Sequence, residues 1–211
     1  IYTLSLHDAL PILVIALADE TGAKLIHIST DCVFSGKKGN YTEDDFKDAD
    51  DTYGRSKALG EIVDDHHLTL RTSIVGPELK ANGEGLFHWF MHQKEQCMGY
   101  KTAIWGGVTT LELAKVVDYV IQNPITGLVQ VSNGKGINKF DLLQLFKEIW
   151  HSGIEIVPVD KNGVDKSIAR SQRLAYEVPS YKQMLIDLKQ WMDGHVSLIT
   201  KIGRASCRER V

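Results

Sequence analysis

The sequence predicts an α/β protein in which a parallel sheet with flanking helices is followed by a smaller α/β lobe. Two short apolar runs, at residues 24–30 and 68–76, alternate with helical patterns, as in βαβ units. The second half has a different texture, because short strands and amphipathic helices follow one another closely. A chain of 211 residues suits one large domain or two small ones.

Helix boundaries are indicated by capping residues and apolar spacing. A first helix is expected to end at Gly22, and a second to run from about Thr52 to Asp65. Later helices are predicted for GLFHWFMHQ, TTLELAKVVDYVIQ, NKFDLLQLFKEIW and SYKQMLIDLKQWM, the last three with capping signals at their starts. The polar segment 31–51 is predicted to be a loop, and loops longer than about a dozen residues are usually functional or disordered.

Composition excludes several classes of protein. The formal net charge of −3 gives no indication of nucleic-acid binding. The three cysteines have no metal-ligand spacing, so a reducing cytoplasmic setting is expected and no metal site is predicted. No apolar run approaches the roughly 18 residues of a membrane-spanning helix.

The two ends of the chain differ from the rest. Residues 1–12 and 201–211 share no pattern with the intervening sequence and resemble translated adapter sequence. We therefore expect the native gene segment to be roughly residues 13–200, and we expect it to be a piece of a longer protein.

A candidate proton-transfer site combines three side chains. Thr30 stands at the end of the predicted strand KLIHIST, and Tyr53 and Lys57 lie one helical turn apart. Tyrosine has a pKa near 10, and an adjacent cation is expected to lower it. Tyr53 would then act as a general acid or base beside a nicotinamide, while Thr30 orients a carbonyl group.

The block STDCVFSGKKGNYTEDDFKDADDTYGRSKALGE resembles the extended short-chain dehydrogenase/reductase superfamily, and most closely its dTDP-4-dehydrorhamnose reductase branch. The similarity continues through LTLRTSIVG, TTLELAKVV and YEVPSYKQMLIDLKQWM. It implies NADPH- or NADH-dependent reduction of the 4-keto group of a deoxy-sugar nucleotide, for the synthesis of cell-surface polysaccharide. It also implies a cytoplasmic enzyme whose full-length form could be a homodimer.

The resemblance assigns roles to individual residues. Thr30, Tyr53 and Lys57 would form the catalytic triad. The nicotinamide pocket would be lined by Ser29, Thr72 and Ser73, together with Tyr53 and Lys57. The sugar nucleotide would contact Thr30, Tyr53, Val33 and Ile74.

The same resemblance predicts a partial Rossmann-type parallel sheet whose first half is missing. Residues 13–80 would be the carboxyl-terminal part of the NAD(P)-binding domain, with the catalytic block. Residues 81–200 would form mainly a substrate-binding lobe, with some elements returning to the Rossmann domain. Family members begin with a strand, a glycine-rich turn and a helix that holds the pyrophosphate, and no glycines in this sequence follow a strand in that pattern.

Two other functions remain open. One is a nucleotide-sugar epimerase or dehydratase of the same superfamily. Dehydratases usually add an acidic residue beside the catalytic threonine, but Asp31 in that position is ordinary in the reductase branch and does not favour them. The other is a non-catalytic NAD(P)-binding regulatory subunit. Such members tend to lose part of the triad, whereas Thr30, Tyr53 and Lys57 are all present here.

Several other side chains have two interpretations each. Trp105 could contact a base or sugar or could pack in the core. Lys166, Arg170 and Arg173 could bind a diphosphate or could be ordinary surface charge. Cys32 is interpreted as a packing residue.

Two histidine pairs are interpreted as structural. His88 and His92 could share a metal on one helix face, although a plain polar face is favoured. His66 and His67 are expected to end the helix that carries Tyr53.

The missing glycine-rich turn leads to a prediction for the 211-residue chain. We expect it to bind NADPH weakly and to show little turnover, because the pyrophosphate would have no helix N-terminus to bind. A fluorescence titration of the purified chain with NADPH tests this, and micromolar binding would contradict it.

Overall fold

The computed structural model describes residues 6–78, 83–161 and 163–196. The helices are α1 Leu6–Thr21, α2 Thr52–Leu59, α3 Leu86–Met91, α4 Thr110–Gln122, α5 Lys139–Trp150 and α6 Tyr181–Gly194. The strands are β1 Ile26–Thr30, β2 Leu68–Thr72, β3 Ile74–Val75, β4 Gln96–Tyr100, β5 Ile104–Trp105, β6 Val108–Thr109, β7 Gly127–Gln130, β8 Ile137–Asn138 and β9 Glu155–Val159.

A three-stranded parallel sheet in the order β1–β2–β7 forms the centre of the molecule. Every residue of β2 is buried, as expected for the middle strand of a parallel sheet covered on both faces. α2 packs against β1. The sheet confirms the predicted α/β class, and β7 joins it from the second half of the chain.

The second half contains short paired strands and the predicted helices. β4 pairs with β9 in parallel, β3 with β6 in parallel, and β5 with β8 in antiparallel orientation. α5 packs on β4 and β9, and α6 packs on α4 and α5. The side chains of Thr109, Asn138 and Ser180 cap the starts of α4, α5 and α6, as their sequences predict.

α2 ends at Leu59, earlier than the predicted limit at Asp65, and Gly60 is its C-cap. The chain then turns toward β2, because the Ile62 N–H donates to the Thr69 hydroxyl at 3.1 Å. That hydroxyl donates back to the Ile62 carbonyl at 2.7 Å. These two contacts satisfy the Ile62 backbone without a further helical turn.

The prediction that His66 and His67 end α2 is wrong for the same reason. Asp64 accepts hydrogen bonds from the backbone N–H groups of both histidines. His67 is buried, and its Nδ1 atom accepts a hydrogen bond from the Leu25 N–H at 3.3 Å. The pair therefore lies in a turn that leads into β2.

The long segment 31–51 folds around a stacked aromatic pair. The rings of Phe34 and Tyr41 lie 4.1 Å apart and nearly parallel. Together with Val33 and Ile168 they form a small buried cluster. Because Tyr41 also pairs with Ile168 through its backbone, the cluster fastens this segment to the second half of the chain.

Two phenylalanines differ in burial, so we expect them to differ in their contribution to the free energy of unfolding. Phe146 is completely buried and contacts the rings of Phe87 and Phe90, whereas Phe46 is 85% exposed. We expect Phe146→Ala to lower the free energy of unfolding by about 3–5 kcal/mol, because the cavity cannot fully collapse. Phe46→Ala should change it by less than about 0.5 kcal/mol. Urea denaturation measures both values, and equal effects would contradict the assigned core.

Candidate functional site

Thr30 is held at the carboxyl end of β1 by a local cap. Its Oγ1 atom accepts a hydrogen bond from the Cys32 N–H at 3.1 Å and donates to Asp31 Oδ1 at 3.2 Å. The cap begins a short 3₁₀ turn, Asp31–Val33, that leads the chain away from the sheet. Thr30 is thereby fixed at the edge where parallel sheets bind their ligands.

Tyr53 is brought to Thr30 by a close approach between α2 and this turn. Asp51 caps α2 by accepting the Gly54 N–H at 2.7 Å. A Cβ atom on Gly54 would lie 2.2 Å from the Cys32 carbonyl oxygen, so only glycine fits. Tyr53 and Thr30 thereby line the same cavity. The sequence analysis did not single out Gly54, although it directly follows Tyr53.

Lys57 lies on the same helix and reaches the strand beside Thr30. Its Nζ atom donates to the Ile28 carbonyl at 3.1 Å. Burial lowers the pKa of Lys57, and the Glu61 carboxylate opposes that shift. An ammonium group has three N–H donors, so the contact with Ile28 leaves donors for a ligand.

The expected lowering of the Tyr53 pKa is wrong for this structure. Burial raises the pKa of Tyr53, and the neighbouring Cys32, Asp31 and Asp51 raise it further. Only the hydrogen bond with Thr30 acts in the opposite direction among these influences. The phenol is therefore held in its protonated form, which is the form that a general acid needs.

These side chains border one cavity of about 680 Å³ at the carboxyl ends of β1 and β2. Seven of the eight residues named from the sequence line it: Ser29, Thr30, Tyr53, Lys57, Thr72, Ser73 and Ile74. Besides the Thr30 hydroxyl, the Ser29 hydroxyl donates to Glu61 and the Thr72 hydroxyl donates to the Val131 carbonyl. Ile74 is 51% exposed and presents an apolar wall.

Val33 is the exception among the eight. Its side chain is completely buried in the cluster around Phe34 and Tyr41, because the 3₁₀ turn directs it away from the cavity. The Val33 side chain is therefore inaccessible to a sugar nucleotide in this structure, and the expected contact is wrong for this side chain.

A second cavity of about 670 Å³ adjoins the first and shares Asp31, Cys32 and Ser73 with it. Its other walls come mainly from the second half of the chain and include Tyr100, Trp105, Lys139, Val164 and Lys166. Trp105 is only 8% exposed and packs near Tyr181, with ring centres 5.6 Å apart. Trp105 therefore belongs to the core as well as to this wall.

Lys166, Arg170 and Arg173, for which diphosphate binding and plain surface charge both remained open, do not share one cavity in the structure. Lys166 borders the second cavity, whereas Arg170 and Arg173 border a different one. Arg173 donates to the carbonyls of Thr126 and Leu128, so it supports the approach to β7. Lys139, which the sequence analysis missed, joins Lys166, because β8 places the start of α5 beside this cavity.

Asp31 is a buried carboxyl group on the wall shared by the two cavities. Burial raises the pKa of Asp31, and hydrogen bonds from Thr30 and Ser73 and the charge of Lys166 only partly oppose the shift. Cys32 is partly buried, and burial likewise raises the pKa of its thiol. A raised pKa disfavours the nucleophilic thiolate, in agreement with a packing role.

The described part of the chain brings Asp19, His66 and His67 close enough to share a metal ion. The donors do not fit one. The Nδ1 atom of His67 already accepts the Leu25 N–H, so the neutral ring carries its proton on Nε2, which faces Asp19 at 3.3 Å. The second histidine pair lies at the short helix α3. The ring centres of His88 and His92 are 4.2 Å apart, and the rings stack on each other.

Comparison with known proteins gives one family. The family described as "RmlD substrate binding domain" matches residues 8–203. The spore coat polysaccharide biosynthesis protein SpsK of Bacillus subtilis is 29% identical over 166 residues, which cover 76% of this chain and 57% of that protein.

Within the described residues, no helix is long and apolar enough to cross a membrane.

Solved structures with the same fold include two described as dTDP-4-dehydrorhamnose reductases. That of Bacillus anthracis, in complex with NADP, is 22% identical with a TM-score of 0.69, over 82% of this chain and 66% of that one. The hypothetical reductase of Sulfolobus tokodaii is 26% identical with a TM-score of 0.66, over 80% and 65%. The chain therefore spans less than two thirds of these relatives.

Burial of Asp31 predicts a pH-dependent stability. Its pKa is raised on folding, so the folded state holds the proton more tightly and stability falls as pH rises above the unfolded value, about 3.9. Asp31→Asn lacks this penalty, so we expect a higher urea midpoint than wild type at pH 7 and a smaller difference near that lower pH. The exposed Asp118→Asn is the control. A lower midpoint for Asp31→Asn at pH 7 would contradict the argument.

Proposed function

This chain belongs to the RmlD substrate-binding domain family, and from that premise we propose that it is the catalytic and substrate-binding part of an NAD(P)H-dependent sugar-nucleotide reductase. The reaction would reduce the 4-keto group of a deoxy-sugar nucleotide. The observation that carries the proposal is the convergence of Thr30, Tyr53 and Lys57 on one cavity at the carboxyl ends of β1 and β2.

The first cavity suits a nicotinamide and its ribose. Ser73 and the backbone around it line one side, Ile74 gives an apolar surface, and Lys57 has donors for ribose hydroxyls. A bound nicotinamide would supply a hydride to the substrate carbonyl carbon. NADPH and NADH both fit this description. The solved structure from Bacillus anthracis is a complex with NADP.

The protein's own side chains would supply the proton that the reduction needs. Tyr53 would give its phenolic proton to the carbonyl oxygen as that oxygen gains negative charge, leaving a hydroxyl on the sugar. The Thr30 hydroxyl, which donates to Asp31 in this structure, would turn to donate to the same oxygen and orient it. The raised pKa of Tyr53 keeps its proton in place until the oxygen becomes basic.

The second cavity suits the nucleotide part of the substrate. Lys139 and Lys166 place two cations on its wall, and a diphosphate is the group they would neutralise. Because Asp31 and Ser73 border both cavities, a sugar attached to that diphosphate would reach Thr30 and Tyr53. A role in cell-surface polysaccharide synthesis follows by analogy with the Bacillus subtilis relative, whose name refers to spore coat polysaccharide.

The dehydratase alternative is favoured by one observation. Asp31 adjoins Thr30 and has a raised pKa, as an acid that protonates a departing hydroxyl would need. That reaction would release water and consume no NADPH overall. The 6-deoxy substrate of the assay below has no C6 hydroxyl to lose, so a parallel incubation of the same protein with NAD⁺ and dTDP-glucose, with loss of water measured, distinguishes the two functions.

We expect Tyr53→Phe to lower kcat by about 10²–10⁴-fold with little change in KM, because only the transferred proton is lost. The assay joins residues 13–200 to the amino-terminal segment of a solved NADP-binding reductase and follows NADPH oxidation with dTDP-4-keto-6-deoxy-L-mannose. Tyr119→Phe, whose ring packs on Tyr176, is the control.

Two outcomes would contradict the proposal. A Tyr53→Phe rate equal to wild type would show that Tyr53 is not the general acid. A joined protein that binds both NADPH and the sugar nucleotide, yet reduces nothing, would exclude the reductase function.

A further inference from the structure

The segment of residues 164–169 is paired on both sides, with elements from the two halves of the described chain. Ile168 forms a backbone bridge with Tyr41, which lies in the long loop after β1. Asp165 forms a second bridge with Ile104 of β5. The segment therefore connects the catalytic half of the chain to the second half at the point where the two cavities adjoin.

Two side chains fasten this segment to the loop after β1. Asp165 Oδ1 accepts the Ser167 N–H at 2.9 Å and the Ser167 hydroxyl at 2.5 Å. The Ser167 Oγ atom accepts the Asn40 N–H at 2.9 Å, and the Asp165 N–H donates to the Gly36 carbonyl at 2.8 Å. Ser167 is buried, so its contacts are protected from water. Asp165 and Ser167 thus hold the backbone on both sides of Lys166.

Lys166 stands between these two anchored residues and borders the second cavity. Its N–H donates to the Ile104 carbonyl at 3.2 Å. A Cβ atom on Gly36 would lie 3.1 Å from Lys166 Cγ, so the stem of the lysine lies against that glycine. Because lysine carries its charge on a flexible four-carbon stem, the ammonium group is well placed only where the backbone and the stem are held.

We propose that Asp165 and Ser167 are positioning residues, which hold Lys166 at the second cavity and thereby strengthen the binding of a nucleoside diphosphate there. The inference deepens the proposed function and rests on it for the role of that cavity. Asp165 and Ser167 do not line the cavity themselves, so they act through Lys166.

A purely structural role for Asp165 would give a different pattern of affinities. If Asp165 only stabilised the fold, its loss and the loss of the Lys166 ammonium would have independent effects on affinity, and those effects would add. If Asp165 acts through Lys166, its loss has no further effect once Lys166 has no charge. One oxygen of Asp165 accepts both contacts with Ser167, so an amide oxygen in the same place would serve as well.

The test measures the dissociation constant of dTDP for the 211-residue chain by isothermal titration calorimetry. We expect Lys166→Met and Asp165→Ala each to raise this constant about tenfold, as for the loss of one hydrogen bond to a charged group. The double variant Asp165→Ala/Lys166→Met should bind no more weakly than Lys166→Met alone. Asp165→Asn should bind like the wild type, because it keeps the acceptor oxygen.

Asp45→Ala is the matched control. Asp45 also accepts an N–H and a hydroxyl from one nearby residue, Thr42, at 2.7 and 3.1 Å, but it does not line the second cavity. We expect Asp45→Ala to leave the dissociation constant of dTDP unchanged. Additive effects in the double variant, or wild-type affinity in Asp165→Ala, would overturn the proposal.

Asp165→Ala could fail to fold, and Ser167→Ala then decides the question. It removes only the hydroxyl that joins Asp165 to the Asn40 N–H, and its effect should likewise not add to that of Lys166→Met. Urea denaturation shows which variants are folded. A wild-type chain that binds no dTDP would contradict the proposed role of the second cavity together with this inference, whereas additive effects in a chain that binds dTDP contradict this inference alone.

Discussion

The buried ion pair between Glu61 and Arg71 is the constraint on which the arrangement of the site depends. Removing two charges from water costs several kcal/mol each, and close pairing with hydrogen bonds offsets part of that cost. Within the described residues, Arg71 Nη1 has no hydrogen-bond partner. Both Glu61 oxygens contact Arg71, and one also accepts the Ser29 hydroxyl. The pair therefore fixes the chain after α2 against the Ser29–Arg71 position of the sheet, one residue before Thr30.

The same arginine connects the sheet to the loop above it. The Arg71 guanidinium lies over the ring of Phe34 at 4.9 Å, and Phe34 stacks on Tyr41. Through the pairing of Tyr41 with Ile168, this cluster joins segment 31–51 to the second half of the chain. Gly54 then allows α2 to approach the loop closely enough for Tyr53 to meet Thr30. The site is consequently assembled from both halves of the described chain.

This assembly produces two adjoining cavities with different chemistry. The cavity at the strand ends contains the hydroxyls and the ammonium of the triad, as expected for the carboxyl edge of a parallel sheet. The neighbouring cavity has Lys139 and Lys166 on walls from the second half. Asp31 is buried between the two cavities, and its anionic form destabilises the folded state. Functional sites in proteins commonly lower stability in this way.

The sequence by itself determined the class of fold, most helices and strands, and seven of the residues that line the first cavity. Apolar periodicity and capping side chains are local signals, so they predicted α4, α5 and α6 and the strand that ends at Thr30. Only the tertiary structure decided where α2 ends, that Val33 is buried, and that the Tyr53 pKa is raised. Each of these three features depends on burial or on contacts with groups that are distant in sequence. Residue spacing reveals neither burial nor such contacts. For the same reason the buried pair of Glu61 and Arg71 became visible only when the chain after α2 was brought against β1 and β2.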